Sequence, residues 1–319
     1  MNESGWSGLV HGGWTDVDEI RALLDAGADP TGEVWGYRRA LHVAAEEGSP
    51  EVVAELARRA ADIEAEDEGR SALWAAVYRR RPDNARVLVE AGADPWRSMM
   101  DGWSPGRLSL AGPTPDLFDV PEGTGLSADE TELVAAAKRA VEVLRGEYRD
   151  GLGLASVTGI DADEAVRRLG GVALDPDEVD MDDIDIIGIT GVPGGCVVAQ
   201  PWGYAPQMPG VTARLSAGTV AYGLYANPKS GNQGSVCRDG SMEGWDLHPG
   251  YDPHSDAASR EVLASYLTRG DAVAYTCAVA GLHLADARAV DGPPDVWMRL
   301  PERDWWAWPH PTSTAAPDR

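Results

Sequence analysis

The chain has 319 residues, 43% of them hydrophobic and 25% charged, with 52 acidic side chains against 27 basic ones and a formal net charge of −25. That length allows two domains, each with a core of its own, and the composition is that of a folded chain rather than a disordered one. The acid excess repels phosphate backbones and anionic lipid, so nucleic acid and membrane are excluded as main partners, while a cationic partner is permitted.

Lys138 and Lys229 are the only lysines among the basic residues, and with many Ala, Gly and Asp this reads as the coding bias of a GC-rich bacterium. Cys196, Cys237 and Cys277 stand about forty residues apart, with no CxxC pair, which fits a reducing cytosol. The start, MNESGWSGLV, has neither the basic nor the apolar region of a signal peptide. No apolar run reaches the ~18 residues of a membrane span. The expectation is a soluble, cytoplasmic protein.

One phrase recurs along the first hundred residues: LLDAGADP at 23–30, ELARRAADI at 55–63 and VLVEAGADP at 87–95. Its aspartates, Asp29, Asp62 and Asp94, fall 33 and then 32 residues apart. Such a period signals stacked units that bury their apolar faces only against one another. The second unit is the fullest. Leu41, Ala44 and Ala45 lie on a first helix ended by Gly48, proline at Pro50 opens a second, and Val52, Val53 and Leu56 form its apolar face.

RALHVAA at 39–45 and SALWAAV at 71–77 resemble the TPLHxAA phrase of the ankyrin repeat. The resemblance covers about residues 5–110 and implies about three repeats with a partial fourth at DGWSPGRLSL, residues 101–110. It implies that His42 is a structural histidine bonding across the turn between repeats, with Trp74 at the same position in the third. It also implies protein binding through hairpin tips and the inner helix face. The tips at 31–38, 64–70 and 96–104 carry Trp35, Tyr37, Trp96 and Trp103. These four, with Trp74 and Tyr78, are the candidate partner-binding residues, since aromatic side chains dominate interface energies. Packing between hairpins is the alternative role. Arg79, Arg80 and Arg81 lie in the turn opposite the tips, as a solvated charged turn or a contact surface.

The proline-rich stretch 111–123 breaks the repeat pattern. Ser127 and Glu130 then form a capping box before a long amphipathic helix with Leu133, Ala137, Ala140, Val141 and Leu144 on one face. This helix is expected to cap the open end of the repeats or to connect them to the second half of the chain.

Beyond residue 150 the pattern turns to short strands and glycine turns, with Asp239-Gly240 marking a hairpin and helices at 255–267 and 271–282. The expectation is a helical repeat stack, an ankyrin solenoid, and after it a mostly antiparallel α+β domain. The domain plan is repeats over 1–112, linker and capping or connector helix over 113–150, the α+β domain over 151–300 and a Trp-rich tail over 301–319. EAVRRLGG, QPWGY, ARLSAGTVAYGLYAN and RDGSMEGWDLHPGYDP resemble an actinobacterial domain family of unknown function, a likeness that covers roughly 152–286 and carries no reaction.

The search for chemistry finds no phosphate-binding loop, dinucleotide fingerprint, zinc-protease helix or serine elbow. His248 and His254 with Asp246, Asp252 and Asp256 lack a standard ligand spacing. The run Asp175, Asp177, Glu178, Asp180, Asp182, Asp183, Asp185 lacks the turn glycine and final glutamate of a calcium loop. Cys237 beside Arg238 reads as a strand residue. Trp202, Tyr222, Tyr225, Lys229, Ser230 and His248 would line a pocket if the α+β domain bound a ligand. Trp297, Trp305, Trp306 and Trp308 either pack back or dock a partner.

These observations point to a non-enzymatic protein–protein interaction protein without catalytic residues, metal or cofactor, whose partner is a protein of unknown identity. The alternative is a ligand-binding or enzymatic C-terminal domain positioned by the repeats. A small-molecule ligand is allowed, but no motif calls for one.

Overall fold

A computed structural model describes residues 5–6, 9, 13–34, 38–146, 149–180 and 183–307. The chain divides into two compact units, Met1–Ala128 with Pro253–Tyr266, and Asp129–Asp252 with Leu267–Arg319.

The first unit is built from the recurring phrase. Helix α1 (Val17–Asp25) precedes a hairpin of β1 (Glu33–Val34) and β2 (Arg38–Arg39). Helices α2 (Ala40–Glu47) and α3 (Pro50–Arg59) lead to β3 (Glu66–Asp67) and β4 (Arg70–Ser71). Helices α4 (Ala72–Tyr78) and α5 (Pro82–Glu90) complete the next unit, and α6 (Pro105–Ala111) begins another. Proline sits in the first turn of α3, α5 and α6, where its missing N–H costs nothing. Ser49, Ser71 and Ser104 cap α3, α4 and α6 through their hydroxyls.

The three aspartates do the same work in each repeat. Asp29 accepts from the N–H of Thr31 at 2.9 Å, Asp62 from that of Glu64 at 2.9 Å and Asp94 from that of Trp96 at 2.8 Å. Each holds the chain in the turn that leaves the second helix. Gly27 and Gly92 end α1 and α5 with φ of 101° and 105°, a conformation that favours glycine.

Neighbouring repeats interlock through buried small residues and polar staples. Ala40, Ala44, Ala45, Ala72 and Ala76 are fully buried, so α2 and α4 approach closely. The buried Asn84 amide donates to the carbonyls of Ala45 at 3.0 Å and Gly48 at 3.1 Å, satisfying the end of the preceding repeat's first helix. The arginine turn belongs to this staple. Arg81 donates to Gly48 O at 2.7 Å and Arg79 to Glu46 at 3.2 Å, while Arg80 is engaged elsewhere in the unit.

His42 is 5% exposed, and its Nε2 lies 2.8 Å from Arg70 O on the next hairpin. A carbonyl only accepts, so Nε2 carries the proton. Nδ1 is buried without a partner, which suits the neutral tautomer.

The second unit opens with α7 (Ala128–Val143). Next along the chain are β5 (Gly153–Thr158), α8 (Ala162–Leu169), β6 (Val172–Leu174), β7 (Ile186–Val192), β8 (Gly195–Gln200) and α9 (Pro209–Leu215). Then come β9 (Val220–Asn227), β10 (Gly231–Arg238) and β11 (Ser241–Leu247), next α10 (Ser259–Thr268), which belongs to the first unit as far as Tyr266, and then α11 (Ala272–Val279), α12 (Arg288–Asp291) and β12 (Val296–Arg299). Eight strands form one sheet in the order β11-β10-β9-β5-β8-β7-β12-β6, each neighbour antiparallel.

The sheet is covered on both faces. Leu154, Val197 and Leu224 share one core with residues of α7, α11 and α12. Ala155, Val157, Val198 and Ala221 share the other with residues of α8 and α9. Burial on both sides explains why β5, β7 and β8 read as apolar runs rather than alternating ones. Asp239 and Gly240 both take positive φ, 48° and 76°, in the tight turn between β10 and β11 that the sequence marks.

The structural division differs from the sequence-based domain plan in two places. Helix α7 places Ala140 in the core of the second unit, with Leu144 just beyond it. The repeat unit instead gains Pro253–Tyr266, a segment from deep within the second half.

Burial lowers the His42 pKa below its ordinary value, with the bond to Arg70 O acting in the opposite direction. The unfolded chain therefore binds the proton more readily, and this stability is full above about pH 6.5 and is lost as pH falls through the folded pKa. His42→Ala is expected to cost about 1–3 kcal/mol at pH 7.5 and clearly less at pH 5. Urea unfolding of both proteins at the two pH values checks this, and an equal gap at both would contradict it.

Candidate interaction surfaces

The aromatic residues singled out in the repeats do not form one exposed row. Trp35 and Tyr37 lie outside the described residues. Trp96 is half-buried, its indole N–H donating to Asp119 O at 3.2 Å. Its ring lies 2.8 Å from where a Cβ on Gly106 would stand, so only glycine fits beneath it. Trp74 is 1% exposed and Trp103 is 0% exposed, which corrects the expectation that either offers a surface to an outside partner. Trp74 stacks on the half-buried Tyr78 at 6.4 Å between ring centroids.

The returning segment meets the edge of Trp103, while the Arg107 guanidinium stands 4.5 Å from its ring centroid. The Trp103 indole N–H donates to Ser259 Oγ at 2.8 Å and lies 3.0 Å from Ser259 O. The Asp101 carboxylate accepts from the backbone N–H of Ser259 at 2.6 Å, supplying a cap to the first turn of α10. Tyr266, seven residues further on, meets Tyr78 at 5.7 Å between ring centroids. The Arg80 guanidinium stands 5.6 Å from the Tyr266 ring centroid and donates to its carbonyl at 3.3 Å. Gly112, just past α6, makes room for the Tyr266 hydroxyl, since a Cβ there would lie 2.1 Å from it.

These contacts join the ends of α4 and α6 on one side and the turn before α6 on the other. Sequence reasoning missed Ser259 and Tyr266 because no period links them to the repeats. The one local signal is Arg80 itself, an arginine where the preceding repeat has Gly48.

The described parts of the first two hairpins carry exposed acidic side chains. Glu33, Glu66 and Glu68 are exposed. Arg97 pairs with Glu66 at 2.5 Å and with Glu64 at 3.1 Å, and Arg70 pairs with Glu68 at 2.6 Å.

In the second unit the pocket-lining set does not converge. Tyr222 packs toward the core beneath α11, whereas Tyr225, three residues on, faces the opposite side and meets Tyr204 at 5.8 Å. Trp202 is 76% exposed. Lys229 and Ser230 are held by Asn227 within the β9–β10 turn. The His248 ring bonds to Asn232 O at 3.0 Å. Gln200 accounts for the QPWGY phrase, donating to Ile184 O and Ile186 O and accepting from Ala205 N–H.

Burial pushes the Cys196 and Cys277 thiols up to about 12 and raises that of Cys237, which leaves all three poor nucleophiles. The side chain of Asp246 and residue Asp182 lie outside the described residues. Among the described residues no group of three or more His, Cys, Asp or Glu is placed to hold a metal ion. Trp297 lies on β12, Trp305 is 5% exposed in the core, and Trp306 meets Tyr204 and Trp245, while Trp308 lies outside the described residues.

Residues 13–99 match the family model described as ankyrin repeats, in three copies. No curated protein matches the chain. Among the described residues no helix is long and apolar enough to cross a membrane.

Gly112→Ala is expected to destabilise the protein by about 1–3 kcal/mol, because the new methyl group overlaps the Tyr266 hydroxyl. Tyr266→Phe in that background should restore part of the loss. A double-mutant cycle by chemical denaturation reads the coupling, and strictly additive effects would disprove the contact.

Proposed function

We propose that the repeat unit is a protein-binding module and that the chain acts by contact rather than by catalysis. The observation that carries this reading is the run of three ankyrin repeats, with Glu33, Glu66 and Glu68 exposed on two of their hairpins. Their acidic side chains and the net charge of −25 favour a partner with a basic face. Half-buried Trp96 is the aromatic candidate for that surface, and Trp35 and Tyr37 are further candidates from the sequence alone. The sheet unit assists binding or takes a second partner. Free, buried cysteines suit a reducing cytoplasm.

The test is affinity capture from the source cells with the full chain and a triple variant, Trp35→Ala, Tyr37→Ala and Trp96→Ala, with folding checked by circular dichroism. The expected result is a protein enriched by the wild type and at least ~10-fold less by the variant, the loss that removing one or more anchors produces. Equal recovery by both would overturn the tip surface.

A further inference from the structure

We propose that Tyr204, Tyr225, Trp245 and Trp306 of the second unit form a site for a methylated ammonium group, and that this group arrives as a modified lysine of a basic protein partner. The proposal rests on reading the chain as a binder of a basic partner and names a chemical group that such a partner offers.

Four separate stretches of chain bring the rings together. Tyr225 lies on β9 opposite Gln233 of β10, and Trp245 lies on β11 opposite Ser235, two residues further along β10. That register sets both rings on one face of the sheet. Tyr204 comes from the connection between β8 and α9, and Trp306 from the segment after β12. The rings form a continuous row. Tyr225 and Tyr204 stand 5.8 Å apart between centroids, Tyr204 and Trp306 5.6 Å, and Trp306 and Trp245 6.2 Å.

Core packing does not account for this row. Tyr204 is 39% exposed and Trp306 47%, whereas the adjacent Trp305 is buried in the core. Exposed rings gathered in one patch mark an interaction surface.

The angles between the rings select the shape of the ligand. Neighbouring planes are turned by 74°, 44° and 81°. A flat group such as a guanidinium stacks on one such face at a time, while a round ammonium head can lie against two faces at once.

Electrostatics select its charge. Aromatic faces are negative, and the chain as a whole carries −25. The Asp304 carboxylate is fixed beside the row, accepting from the Trp306 N–H at 3.0 Å, and Glu302 is exposed two residues earlier. Three arginines of the same unit are engaged elsewhere. Arg303 and Arg214 stand 4.9 Å and 5.9 Å from the Trp305 ring centroid, and Arg238 pairs with Glu243 at 2.9 Å. Among the described residues no cation stands over Tyr204, Tyr225 or Trp306.

Methylation matters because a bare lysine ammonium keeps three N–H donors, and ring faces offer them no acceptor. An open row holds the head from one side only. That suits a side chain presented by a larger partner better than a free amine, which must draw all its affinity from the head.

The probes are N-acetyl-trimethyllysine amide, its unmethylated form, its uncharged carbon analogue and choline. Each is titrated into the full chain and followed by ligand-observed saturation-transfer NMR. The trimethyl derivative should bind with a Kd on the order of 1 mM, at least ~10-fold more tightly than the carbon analogue or the unmethylated form. Trp306→Ala and Tyr204→Ala, each checked for wild-type melting, should weaken it at least ~5-fold. Tyr251→Ala, whose ring meets His248 instead, should leave it unchanged. Equal binding of the carbon analogue would reduce the row to an apolar patch and overturn the proposal, as would equal binding of bare lysine or no saturable binding of the trimethyl derivative. Choline binding with a Kd below ~10 μM would mark a site for a free amine and overturn the assignment to a partner. The titration needs no partner, and capture with the tip variant leaves the row intact, so the two readings fail separately.

Discussion

The repeat unit depends on a segment that the repeats do not contain. Three repeats and a lone fourth helix leave an apolar face without a neighbour, and a stack near its minimum length does not tolerate that. Pro253–Tyr266 returns to the unit after Asp129–Asp252 have been laid down elsewhere. Its Ser259 accepts from the indole N–H of the fully buried Trp103, giving that polar group a partner.

The returning segment joins three otherwise separate features. Arg80 stands in a turn where the previous repeat has glycine, and its guanidinium is spent on Tyr266. Gly112 ends α6 where a larger residue would strike the same tyrosine. Asp101 adopts a left-handed conformation and caps a helix that begins more than a hundred and fifty residues later in the chain. Arg80 departs from the repeat pattern, whereas Gly112 and Asp101 keep repeat positions, those of the helix end at Gly48 and the turn at Glu68-Gly69, and serve this contact as well.

Much of the fold is legible in the sequence, and the reason is local. The aspartate turns, the prolines that open second helices, the glycines that close them and the His42 bond all depend on neighbours a few residues away or one repeat away. The Asp239-Gly240 hairpin is legible for the same reason. The fate of the aromatic residues is not. Trp103 lies in a turn, and a turn reads as exposed unless something covers it. Part of the cover comes from a segment whose own sequence shows only a short helix. Trp74 keeps its place in the repeat, but that place is interior. In the second unit, strand order decides which side chains meet, and Tyr222 and Tyr225 separate because three residues along a strand cross the sheet. No spacing in the sequence reports the partner strands.

The central claim is that residues 253–266 lie against the third and fourth repeats, and a designed cross-link tests it most directly. A Cβ on Gly69 would stand 3.9 Å from Ser255 Cβ, close to the ~3.8 Å typical of disulfides. The full chain carrying Gly69→Cys and Ser255→Cys, mildly oxidised and then alkylated without unfolding, gives a clear reading because Cys196, Cys237 and Cys277 are buried. The two new thiols are expected to join, seen by peptide mass spectrometry as one linked pair that reduction releases. Gly69 has a φ of 75°, so the variant is first shown to keep the wild-type circular dichroism and melting, and two free thiols that both take up the alkylating agent in that folded variant would contradict the claim.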